Sequence, residues 1–241
     1  MVEILEQGAV SFLAVPRRGA APRGPADVAR LFVVLAPEGR RPLRRISVRR
    51  HHLPDARRGQ RFFADVDRLA PVAARLTEDV RAPGRAGLAA RILGVGRYAL
   101  ARHHGHVHLA YALARACARG ELAAALGVAA GASWVLCVFR RSLPPTRRPE
   151  TELPLAPATP ERLDVLGAEV ALVSGARPDD GRLGIAAPRD GVGDALVGAL
   201  LRRGPRPRIA SLARARELVR GAERHAAGAK LRALRGAGRR R

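Results

Sequence analysis

His104-Gly105 stands between two runs of strand length, and this arrangement constrains the chain more than any other feature. Glycine supplies the positive φ that a two-residue hairpin turn needs. With those two residues at the turn, Arg97 to His103 pairs with His106 to Ala112, cross-strand partners sum to 209 in numbering, and Tyr98 faces Tyr111. One face then presents Tyr98, Leu100, Val107, Leu109 and Tyr111, a core surface. The other presents Ala99, Ala101, His103, His106, His108 and Ala110, a small and imidazole-rich surface.

The remaining strand signals follow the same reasoning. Residues 9–15 form a first apolar strand closed by Pro16. Leu31 to Leu35 and Leu43 to Val48, joined through Pro37-Glu38-Gly39, read as a half-exposed hairpin. Ser133 to Phe139 is an unbroken apolar run, buried on both faces, with Cys137 in that core. Ala168 to Val173 gives a further strand ended by Ser174-Gly175. Arg61 to Leu69 is short enough for either element and is read as a helix, and Glu121 to Leu126 as a short helix closed by Gly127. Gly94-Val95-Gly96 leads into the 97–112 hairpin; it precedes a strand instead of following one, the wrong context for dinucleotide phosphates.

These elements predict an α+β fold rich in antiparallel hairpins, with a globular domain over residues 1–195 and a basic tail over 196–241. Six prolines between Pro144 and Pro160 make residues 142–162 an exposed, extended connection within that domain. In the tail, Leu212, Ala215, Val219, Ala222 and Ala226 have helical spacing, but an alanine stripe interrupted by Gly221 and Gly228 makes a marginal helix in water.

Of 241 residues, 44 are Lys or Arg and 21 are Asp or Glu, a net charge of +23. Lys230 is the sole lysine and asparagine is absent, a bias that reads as GC-rich coding and not as selection for bidentate phosphate recognition. Distribution is more informative than total. Residues 202–241 carry fourteen Lys and Arg against Glu217 and Glu223, a net of +12; residues 1–201 carry 30 against 19, a net of +11. Arg202, Arg203, Arg206, Arg208, Arg239, Arg240 and Arg241 are therefore the candidate contacts for nucleic acid or another polyanion, without aromatics for base stacking.

Glu3 and Glu6 stand where a secretory signal needs basic and then apolar residues, and no apolar run approaches membrane-spanning length, so a cytoplasmic protein is expected. Cys117 and Cys137 lack a CxxC spacing and read as reduced, structural thiols.

His106-Val107-His108 puts two imidazoles on one strand face, with His103 across from His106, the arrangement a β-sheet metal site requires. Asp65 and Asp67, or His51 and His52, are more distant candidate ligands. The alternative is an imidazole face near a hairpin tip that is solvated or hydrogen-bonded. No GxSxG elbow or P-loop is present, and neither Asp65-Val66-Asp67 nor Asp179-Asp180 has a context that makes it catalytic. No catalytic residue and no cofactor are assigned.

Several pieces in order resemble a family of uncharacterised prokaryotic proteins of about this length. They are Glu3-x-Leu5-Glu6-x-Gly8 with Phe12 and Pro16; Leu53-Pro54 with Arg61-Phe62; Ala89-Ala90-Arg91-x-x-Gly94-x-Gly96-x-Tyr98; His106-x-His108-Leu109-Ala110-Tyr111; Ala132-Ser133; and Leu163-Asp164 with Gly167-Ala168-Glu169 and Gly175-Ala176. The chain departs from that family near Ile92 and Val95, where Pro and Glu are expected, and in its basic carboxyl end. The resemblance implies boundaries and candidate residues, with no mechanism. Two classes follow: a non-enzymatic accessory or binding protein attached to polyanions by its tail, or a metal-binding or metal-dependent enzyme domain using the histidine face.

Overall fold

A computed structural model describes residues 2–17, 22–39, 42–54, 60–72, 76, 90–114, 121–139 and 155–174. Its strands are β1 (Glu3–Pro16), β2 (Val28–Pro37), β3 (Leu43–Val48), β4 (Arg61–Ala70), β5 (Arg91–His103), β6 (His106–Leu113), β7 (Gly131–Phe139), β8 (Leu155–Pro157) and β9 (Glu169–Ser174). Among the described residues the helical elements are a 3₁₀ turn at Pro25–Asp27, α1 (Glu121–Ala125) and α2 (Pro160–Leu163). The hydrogen-bonded order β6-β5-β1-β2-β3-β4-β9-β7 returns to β6 through a β6–β7 ladder, closing an eight-stranded antiparallel barrel, with β8 added on β7. The fold is therefore all-β, and the α+β expectation is corrected: closure removes the free sheet edges that an open sheet would have to cover with helices.

Residue 61–69 is the second correction, being strand β4 and no helix. Phe62, Ala64 and Val66 point into the core while Phe63, Asp65 and Asp67 point out, a period of two that pairs on one side with β3 and on the other with β9. The β2–β3 hairpin is buried and not half exposed, down to Arg44 and Arg45. Of residues 142–162, those before 155 lie outside the described residues; from 155 on, β8 and the start of α2 bury Leu155, Ala156, Ala158 and Pro160, so that part is not exposed. The first strand starts at Glu3, six residues before the apolar run, because its early residues pair with the end of β5.

The register of the β5–β6 hairpin is the one the turn dictates: Tyr98 pairs with Tyr111 and His103 with His106. His104 (φ 44°) and Gly105 (φ 82°) both adopt the positive φ of a type I′ turn. Gly94 and Gly96 lie inside β5 and do not precede it. A Cβ on Gly96 would sit 2.0 Å from the Ala112 carbonyl oxygen and 2.7 Å from the Leu113 Cα, so the close approach of β5 to β6 there requires glycine.

Eight strands enclose a space that side chains fill. Phe12, Tyr98, Tyr111 and Trp134 occupy it with aliphatics from every barrel strand. The Phe12 and Tyr111 rings lie 4.8 Å apart and those of Tyr111 and Trp134 5.2 Å apart. Trp134 Nε1 donates to the Pro54 carbonyl at 3.3 Å.

Each end is stoppered. At the upper end, where β1, β3 and β9 finish, Leu53, Leu126 and Val128 pack onto the core, and Leu53 N donates to the Leu126 carbonyl at 2.8 Å. At the lower end, where β3 and β9 begin, Leu163 and Ala168 do the same beside α2. A second apolar layer lies outside the barrel, where Leu13, Phe32, Val34 and Leu43 cluster with Leu76. Cys137 belongs to a similar outer cluster with Leu155 and Val173, so it is buried outside the barrel wall and not in the central core.

Candidate functional site

The histidine hairpin sits at the lower end. His103 and His108 are buried, His106 is half-buried, and His104 stacks on His103 with centroids 4.1 Å apart. His103 and His106 are cross-strand partners, and His108 follows two residues later on the same outward face, opposite Ala101. Among the described residues, no three His, Cys, Asp or Glu side chains converge closely enough to hold a metal ion.

The distant metal candidates are committed elsewhere. Arg49 grips Asp65 with two hydrogen bonds, 2.9 Å from Nε and 2.7 Å from Nη2, and reaches Glu169 at 2.6 Å. Those bonds, to Asp65 first and Glu169 next, raise the Arg49 pKa above its ordinary value. Asp67 takes two hydrogen bonds from Arg45, at 2.8 and 2.9 Å. Arg45 also donates to the Leu76 carbonyl at 2.6 Å and lies over the Phe32 ring, 4.6 Å from its centroid. His52 Nδ1 is 3.1 Å from the Leu53 carbonyl, and its ring meets Phe62 edge-on at 4.9 Å.

Sequence reasoning missed a charged cluster inside the barrel. Arg44, fully buried, donates to both Glu6 carboxylate oxygens (2.5 and 2.9 Å), to Asp164 (2.7 Å) and to the Pro160 carbonyl (3.3 Å). The Tyr98 hydroxyl donates to Glu6 at 2.6 Å. Burial opposes the charge on Arg44, but its hydrogen bonds to Glu6 and Asp164 outweigh it and its pKa is raised. Burial, with the adjacent Glu6, also pushes the Tyr98 hydroxyl well above its usual value. This cluster joins β1, β3, β5 and the α2 stopper, which gives it a structural role. Its one legible sign was Glu6 and Arg44 falling at inward positions of apolar strands.

At the upper end lies a cluster of a different kind. Arg17 Nε donates to the Val28 carbonyl at 3.1 Å, and its Nη2 lies 3.0 Å from His51 Nε2. A guanidinium can only donate, so His51 Nε2 is the acceptor in this contact. Arg50 is exposed and held over the Phe62 ring at 5.1 Å from its centroid. The run Arg49-Arg50-His51-His52 was legible in the sequence, but as histidines for a metal and not as a basic rim.

The tail candidates Arg202, Arg203, Arg206, Arg208, Arg239, Arg240 and Arg241 lie outside the described residues, as do Cys117 and the expected boundary at residue 195. Among the described residues no helix is long and apolar enough to cross a membrane. No family model, curated protein or solved structure matches the chain, so the family resemblance gains no support from those comparisons.

Proposed function

We propose that this protein is a non-enzymatic binding protein that attaches to a polyanion, with nucleic acid the partner that suits it, through its carboxyl-terminal basic segment. The observation that carries this reading is the charge asymmetry: residues 202–241 hold fourteen basic residues against two acidic ones. Such a field attracts phosphate backbones without reading sequence. The barrel supports the reading as a scaffold, since its axis is filled by Phe12, Tyr98, Tyr111 and Trp134 and its buried charges bind one another. The histidine face has no comparable support, because its imidazoles do not converge with further ligands among the described residues.

The test compares the full chain with a full-length variant carrying Gln in place of Arg202, Arg203, Arg206, Arg208, Arg239, Arg240 and Arg241. Binding to duplex DNA is measured from about 50 to 200 mM salt, where each lost phosphate contact flattens the log–log salt dependence by about 0.9. The expected result is steep, sequence-independent binding by the wild type and a markedly flatter slope for the variant. Identical slopes, or affinity unchanged by salt, would remove the tail from the binding surface.

A further inference from the structure

Resting on that reading, we propose that the upper rim formed by Arg17, Arg50 and His51 is a second phosphate-binding surface on the barrel itself, positioned for the backbone of duplex DNA.

The argument turns on what holds each arginine. Arg44, Arg45 and Arg49 are held by carboxylates, which fix their geometry and cancel their charge. Arg17 and Arg50 are held by neutral groups: a carbonyl and an imidazole lone pair for Arg17, an aromatic face for Arg50. Among the described residues no carboxylate pairs with either one. These partners immobilise the guanidinium while leaving its charge available, which lowers the side-chain entropy that a phosphate contact would otherwise cost. Guanidinium groups match phosphate oxygens in fork geometry.

Topology places the rim usefully. Pro16 pairs with Val28 at the upper end of β1 and β2, and Arg61 pairs with Val173 at the upper end of β4 and β9. β9 therefore ends, at Ser174, on the end that carries Arg17 and Arg50, and the basic segment follows it in sequence. One duplex could engage both surfaces, the second contact gaining from the first by effective concentration. The histidine hairpin is at the opposite end.

The test uses three full-length proteins: wild type, Arg17→Gln/Arg50→Gln, and a charge-matched control, Arg102→Gln/Arg162→Gln. The control residues lie at the lower end, where Arg102 contacts Glu3 and Arg162 contacts the Pro157 carbonyl. Duplex DNA binding is measured across the same salt series, and vesicles of phosphatidylcholine with phosphatidylserine form a second arm. The rim variant should flatten the log–log slope by about 1.8, two contacts at about 0.9 each, while the control leaves it unchanged. Equal slopes for the rim variant and wild type, or equal flattening by both variants, would overturn the rim while leaving the tail reading intact. Loss of vesicle binding with DNA binding retained would assign the rim to a membrane and also overturn it. If the wild type binds no DNA at any salt, both proposals fall. Unchanged urea midpoints confirm that each variant is folded.

Discussion

Replacing Arg44 with Met should cost the barrel about 3 to 5 kcal/mol, because it strands a buried carboxylate. Arg44→Met keeps the apolar stem of the side chain but deletes four hydrogen bonds. Asp164 is 22 % exposed and can be rehydrated, so its lost bond counts for little. Glu6 is the costly partner: its side chain is 4 % exposed and would lose both hydrogen bonds from Arg44 in that buried setting. A chain of this kind has a total stability of roughly 5–15 kcal/mol, so the loss is readily measured. The sole tryptophan, Trp134, is buried beside Tyr111 and reports unfolding by fluorescence in a urea titration. Adding Glu6→Gln removes the stranded charge and should restore part of the loss, a coupling of about 0.5–3 kcal/mol in the double-mutant cycle. An Arg44→Met cost below about 1 kcal/mol, or single-variant losses that simply add, would refute the claim that a buried Arg44–Glu6 ion pair ties β3 to β1.

Three further outcomes follow from burial. Tyr98 and Tyr111 are the only tyrosines, and burial raises both hydroxyls, so the folded state favours their neutral forms while the unfolded chain ionises near pH 10. Their contribution to stability is complete below about pH 10 and is lost as pH rises beyond it, so tyrosinate absorbance should appear only together with unfolding; normal titration in the folded protein would contradict this. Burial pushes the Cys137 thiol up to about 12, so in a Cys117→Ser background it should resist a disulfide reagent at neutral pH until urea unfolds the chain, and rapid native reaction would place it at the surface. Gly96→Ala should cost about 1–3 kcal/mol by forcing β5 away from the Ala112 carbonyl; a neutral effect would mean the strands approach less closely than 2.0 Å implies.

Local pairing was legible where turn chemistry and side-chain alternation agreed, as at His104-Gly105, where the φ > 0 requirement fixed the register through Tyr98 and Tyr111. Closure was not legible, because the β1–β5 and β4–β9 ladders join segments far apart in sequence, and no local pattern specifies them. Without closure in view, Arg61 to Leu69 looked short and ambiguous, although its inward Phe62, Ala64 and Val66 already alternated with Asp65 and Asp67. Buried charge was illegible for a related reason: Arg44 and Arg45 read as solvated because Glu6, Asp67 and Asp164 reach them only after folding. The rim was half legible, since Arg49 to His52 are contiguous, but Arg17 arrives from another strand.

The most direct measurement is amide hydrogen exchange of the full-length protein with and without saturating duplex DNA. Protection is expected at residues 49–52 and across 202–241, with little change at 103–106 and 160–164 on the opposite end. Protection centred on the 103–106 turn, or none anywhere despite binding, would contradict the assignment of the basic end as the polyanion-binding surface.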